Sequence, residues 1–142
     1  MNFQLDPRLD ADTRLIAQWP LSELRLMDDA QYPWLILVPR IPGARELIDL
    51  GDAERAQLQQ EIDAAAHLLR QAFSPDKLNI AALGNVVEQL HVHIIARFRS
   101  DAAWPRPVWG VHPVKPRSQD ELATFQARLM PHLPSFATEK PA

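Results

Sequence analysis

The chain has 142 residues, 46% hydrophobic and 23% charged, which suits one soluble domain with a sizeable core and excludes wholesale disorder. Fifteen Lys+Arg against 18 Asp+Glu give a formal net charge of -3, so no global basic field draws in a nucleic-acid polymer or an anionic membrane. With no cysteine, disulfides, thiolate metal sites and Cys nucleophiles are excluded together.

The first fourteen residues mix Asp with Arg and lack the apolar stretch of a secretory signal. The longest strongly apolar run, Trp34–Val38, falls far short of the ~20 residues that span a bilayer, so a cytoplasmic location and no membrane are expected. Ser22–Met27 and Trp34–Val38 read as strands, with Asp28, Asp29 and Pro33 marking the turn between them. Pro39 and Pro42–Gly43 stop the second strand. The period then changes: Leu58, Ile62, Ala65, Leu69 and Ala72 or Phe73 form the stripe of an amphipathic helix, with Asp49 or Asp52 as N-cap and Ser74–Pro75 as its end. His67 falls off that stripe, toward solvent.

Lys77–Leu83 returns to strand character, Gly84–Asn85 punctuates, and Val86–Phe98 is the most strand-like stretch of all. Thirteen prolines are the compositional oddity, and seven lie beyond residue 100, which predicts an extended, irregular tail. Ser118 with Glu121 is a capping box that opens a last helix carrying Leu122, Phe125 and Leu129 on one face. Adjacent strands with separate helices favour an α+β antiparallel sheet, with the long helix packed on it.

The stretch Gln89-Leu90-His91-Val92-His93-Ile94-Ile95 carries the chemistry. Strand side chains alternate with period two, so Gln89, His91 and His93 share one face and Leu90, Val92 and Ile94 the other. Two imidazoles in a row on an apolar strand are not needed for stability. A His-x-His pair also suits zinc, but a third ligand is wanting: Glu88 points to the wrong face, His67 lies on a helix, and His112 and His132 sit beside prolines.

Gly84 through Ile95 resembles the signature of the histidine triad (HIT) family, His-φ-His-φ-His-φ-φ, in a bacterial-type variant with Gln89 at the first triad position, His91 at the middle and His93 at the third. Leu35-Ile36-Leu37-Val38-Pro39-Arg40, Leu47–Leu50 with the helix after it, and Trp104–Pro105 resemble other family elements, so the likeness covers roughly residues 20–110 of a single domain over 1–142, with the proline-rich tail and last helix at 104–142. The resemblance implies a small α+β fold, a homodimer, and a nucleotide pocket on the exposed sheet face. It implies a nucleotide hydrolase or nucleotidyl transferase that needs no metal or cofactor, with the middle histidine attacking the α-phosphorus to give a covalent nucleotidyl-imidazole.

Carried onto this chain, His91 is the expected nucleophile, and His93 the assisting acid or phosphate donor, with a pKa near neutrality. Asn85, and the backbone at Gly84, are expected to meet the phosphate. Arg97 shares the parity of the histidines and is expected on the same face, while Trp104, with Trp109, walls the nucleotide or covers a hydrophobic edge. The chain departs from the pattern at three positions: Gln89 replaces the first histidine and cannot titrate, Val86 stands where many members carry a hydroxyl, and Trp34 where many carry another histidine. Gln89 is read as a supporting residue, orienting a neighbour by hydrogen bonds. The rival readings are a nucleotide-binding protein with little turnover and a metal-dependent hydrolase using the His-x-His pair.

Overall fold

A computed structural model describes residues 2–136. It is an α+β fold on a five-stranded antiparallel sheet, whose elements in chain order are α1 (Pro7–Asp12), β1 (Thr13–Gln18), β2 (Ser22–Met27), β3 (Trp34–Pro39), α2 (Asp52–Phe73), β4 (Lys77–Ala81), β5 (Val92–Arg97) and α3 (Gln119–Leu129). The sheet order is β1-β2-β3-β5-β4, so β4 returns after α2 to the far edge and β5 inserts between it and β3. Among the described residues no helix is long and apolar enough to cross a membrane.

The 22 residues of α2 lay their apolar stripe on one face of the sheet. Leu58, Ala65, Leu68 and Leu69 meet Leu24, Leu26, Leu35, Leu37, Val92, Ile94 and Ala96, and Phe125 and Leu129 of α3 close the layer. The expected caps shift slightly. Gly51 is the N-cap of α2, its N–H donating to Glu54 Oε1 at 2.8 Å, while Asp49 accepts from the N–H groups of Arg45 and Glu46 in the preceding turn. Ser74 ends the helix in a left-handed conformation, and Ser118 caps α3 as its capping box predicts.

The other face of the sheet is buried too, which differs from an exposed nucleotide face. Trp34, Ile36, Val38 and Ile95 project there, and Leu9 of α1, Tyr32, Ala103 and Val108 cover them. This double burial explains why every residue of β3 is buried and why its sequence is apolar without alternation. The cover comes from the N-terminal segment and the proline-rich tail. The tail is irregular, as its prolines dictate, yet fixed: Arg117 donates to the carbonyls of Met27 and Tyr32, both at 2.8 Å, and the Ala30 N–H donates to the Lys115 carbonyl at 2.6 Å.

Two elements lie outside the sequence expectations. α1 and β1 precede Ser22, where the expected elements begin, and β1 is an edge strand with only Thr13 buried, so it lacks the apolar signal of a strand. The long strand expected over Val86–Phe98 is also shorter, covering only Val92–Arg97, because residues 82–91 form a loop whose Leu90 N–H bonds the Ala44 carbonyl.

Candidate active site

The period-two argument holds although the strand is short. Leu90, Val92 and Ile94 enter the α2 core, and His91 and His93 emerge on the opposite face with ring centroids 4.9 Å apart, edge to face. Each is only 6% exposed. The cross-strand register pairs His93 with Ile36 and Ile95 with Trp34, which leaves Trp34 diagonal to His93 and within reach of it.

Two hydrogen bonds fix the protons. His91 Nδ1 lies 2.7 Å from the Gln89 carbonyl. A carbonyl only accepts, so Nδ1 carries the proton and the lone pair of a neutral His91 sits on Nε2. Trp34 Nε1–H donates to His93 Nδ1 at 3.0 Å. An indole N–H only donates, so His93 holds its proton on Nε2, where it bonds the backbone of Leu83. The two neighbouring imidazoles are thus opposite tautomers.

His93 departs from the near-neutral acid that the sequence suggested. Burial, reinforced by the neighbouring His91, pushes its pKa down to about 4, and the bond to Leu83 only partly opposes this. A second proton would have to occupy Nδ1, facing the indole N–H. His93 is therefore a neutral spacer that carries one Nε2–H donor.

His91 sits between two cavities and lines both, together with Leu83 and Asn85. One, of about 280 Å³, is walled by Leu9, Met27, Trp34, Ile36, Val86 and Trp109. His93 also borders it, with the Trp109 ring 5.0 Å away edge-on. Arg8, Asp12 and Thr13 complete that wall from the N-terminal side. The other cavity, of about 350 Å³, is polar and includes Gly84, Gln89, Glu46 and an Arg45–Glu88 ion pair at 2.9 Å. A side chain at the junction of an apolar and a polar chamber can meet a ligand that is flat and apolar at one end and charged in the middle.

Asn85 lines both chambers with His91, and Gly84 borders the polar one. Gly84 has a structural reason as well, since a Cβ there would lie 2.9 Å from the Val87 carbonyl oxygen, too close for any other residue without a shift of the loop. Gln89 turns to the N-terminal segment. Its Oε1 accepts from the Asp6 N–H and its Nε2 donates to the Gln4 carbonyl, both at 2.8 Å.

Arg97 and Trp104 are not brought to His91. Arg97 lies on the expected face but is 1% exposed. Its guanidinium binds both oxygens of Asp101, at 2.8 and 3.1 Å, and Asn79 Oδ1 at 2.8 Å, and it lines neither chamber beside His91. Trp104 stacks against that guanidinium, 5.7 Å from ring centre to Cζ, so of the two tail tryptophans it is Trp109 that reaches the cavity. Asp101 also accepts from the N–H groups of Phe98, Ala103 and Trp104. Burial alone would raise its pKa, but the Arg97 and backbone hydrogen bonds outweigh it and hold the carboxyl below the usual carboxylate range.

Sequence reasoning did not assign Trp34, Leu83 or Arg8 a part in the site. The Asp6–Pro7 pair at the start of α1, an N-cap followed by proline, was a legible helix signal; its packing across the sheet was not. Among the described residues no group of three or more His, Asp or Glu side chains is placed to hold a metal ion.

Comparison with known proteins places the fold. The HIT domain model matches residues 8–100. A histidine triad protein from Bradyrhizobium japonicum superimposes with a TM-score of 0.90 at 49% identity, covering 94% of this chain and 99% of that one. Proteins of the same description from Sinorhizobium meliloti (TM-score 0.89, 44% identity, 92% and 97% covered) and Marinobacter aquaeolei VT8 (0.90, 43%, 94% and 97%) are similar. No curated protein matches the chain.

Proposed function

The chain belongs to the HIT domain family, a family of nucleotide-binding hydrolases and transferases, and from that premise we propose that it cleaves or transfers at a nucleotide α-phosphate through a covalent intermediate on His91. The observation that carries this reading is the 2.7 Å bond between His91 Nδ1 and the Gln89 carbonyl. It leaves the lone pair of a neutral His91 on Nε2, on a side chain that borders both chambers.

In this reading the base and sugar occupy the chamber walled by Trp34 and Trp109, and the α-phosphorus lies against His91 Nε2. The Nε2 lone pair forms the P–N bond as the bond from phosphorus to the leaving group breaks, and the leaving group departs with that electron pair. The imidazole becomes cationic, and its Nδ1–H, pointing at the Gln89 carbonyl, is held by a charge-assisted hydrogen bond. Water or another acceptor then attacks phosphorus, loses its proton to solvent, and returns the P–N pair to Nε2. His93 packs edge-on against His91 with its Nε2–H turned to Leu83, Asn85 offers an amide to the phosphate oxygens, and no step passes through Gln89 as an acid.

A homodimer belongs to the same proposal: β4 is an edge strand with half-exposed Ile80, and a second copy can extend it.

The test is turnover of a panel of dinucleoside polyphosphates and nucleoside phosphoramidates by the wild type and by His91→Ala. Turnover should fall by at least about 10³-fold while nucleotide affinity stays within about tenfold, because the change deletes the attacking atom and not the pocket. Wild-type rates in His91→Ala would falsify the mechanism. Tight nucleotide binding with no turnover of any panel member by the wild type would favour a binding protein instead.

A further inference from the structure

We propose that Arg8 is the anion-binding side chain of this site, and that Gln89 is the positioning residue that holds it there by clasping the N-terminal segment. The inference rests on the nucleotide reading above and names the group that meets the phosphate charge. Substitution at phosphorus concentrates negative charge in the cleft, and a chain of net charge -3 has to answer it with a local cation.

The arginines near the cleft are few, and most are already committed. Arg97 is spent on Asp101 and Asn79. Arg45 is paired with Glu88 and lines its chamber beside Glu46, so its charge is offset twice over. Arg40 bonds Gln18 and the carbonyls of Trp19 and Pro20. Arg8 remains. It lines the chamber that contains both His91 and His93, it is exposed, and no carboxylate among the described residues lies within 4 Å of its guanidinium. Asp12, one turn along α1, borders the same chamber without pairing with it.

A six-residue helix does not hold itself in place in water, so Arg8 is only as well positioned as the anchors of α1. Leu9 is one anchor, buried against the sheet. Arg25 pairs with Asp10, and β1 ties down the far end. Gln89 anchors the near end, and its chemistry fits the task. The segment presents an N–H at Asp6 and a carbonyl at Gln4, two residues apart, and the amide answers both with one acceptor and one donor. In a neutral imidazole the donor and the acceptor diverge across the ring, so a histidine at position 89 could not serve the two groups together. On this account the departure at the first triad position is an exchange: a titratable group is given up and a cation is gained.

Equilibrium binding of adenosine 5′-monophosphate and of adenosine to the full chain tests the proposal, because their affinity ratio isolates the phosphate. The wild type should prefer the monophosphate. Arg8→Gln should lower monophosphate affinity about tenfold and leave adenosine unchanged, with Arg8→Lys recovering most of the loss. Gln89→Met, which keeps the side-chain length and removes donor and acceptor, should shrink the same ratio, and combining it with Arg8→Gln should add nothing further. A wild-type phosphate preference in Arg8→Gln overturns the proposal and leaves the nucleotide reading intact. Losses that simply add in the double variant overturn the clasp. A wild type that binds neither ligand overturns both readings.

Discussion

Both faces of the sheet are covered, but by different means. On the α2 face, leucines from β2, β3, α2 and α3 interlock in an apolar layer. On the histidine face two irregular segments provide the cover, and polar pins hold them: Gln89 to the N-terminal segment, Arg97 to Asp101, and Arg117 to the carbonyls at the β2–β3 turn. Apolar packing is non-directional and tolerates sliding. Hydrogen-bonded pins fix groups in place, and a site that must present one lone pair in one direction needs them.

That contrast can be broken at its strongest point. Replacing Asp101 with Ala leaves the Arg97 guanidinium buried without its carboxylate, and we expect a loss of about 3–5 kcal/mol, as large as that from opening a cavity in the α2 core with Leu69→Ala, about 2–5 kcal/mol. Chemical denaturation of both variants makes the comparison; an Asp101→Ala loss under about 1 kcal/mol would mean that the pins are decorative.

A smaller effect sharpens the contrast through pH. Unfolded, His93 takes up a proton near pH 6.5; folded, it does so only near pH 4. Between those values the unfolded chain binds the extra proton. The stability linked to neutral His93 is therefore fully present above pH 6.5 and is lost as the pH falls through that window, by about 3 kcal/mol. Urea titrations at pH 7 and pH 4.5 should show a steeper fall for the wild type than for His93→Asn. Equal slopes would remove the buried neutral imidazole from the account.

What the sequence disclosed follows the same divide. Leu58, Ala65 and Leu69 announced α2 by their spacing, and the Ser118–Glu121 box announced α3, because regular elements facing a core write their period into the chain. The pairing of His91 with His93 was legible from strand parity alone. The cover over them was not: an arm held by main-chain hydrogen bonds and a proline-rich tail have no period to read. For the same reason Arg97 went to the right face with the wrong surroundings, since Asp101, its partner, lies in an irregular turn just past the strand. Trp34 read as a departure from the family pattern, and only the cross-strand register reveals it as the donor that sets the His93 tautomer. Gln89 likewise needed the N-terminal segment in view before its two hydrogen bonds had partners.

The central claim is that His91 Nε2 makes and breaks a bond to phosphorus. Rapid acid-free quench of the wild type during turnover of a radiolabelled substrate, followed by peptide mapping, tests it most directly. The account predicts an acid-labile, base-stable nucleotidyl group on His91 alone, absent from His91→Ala. Label on another residue, or none during brisk turnover, would contradict it.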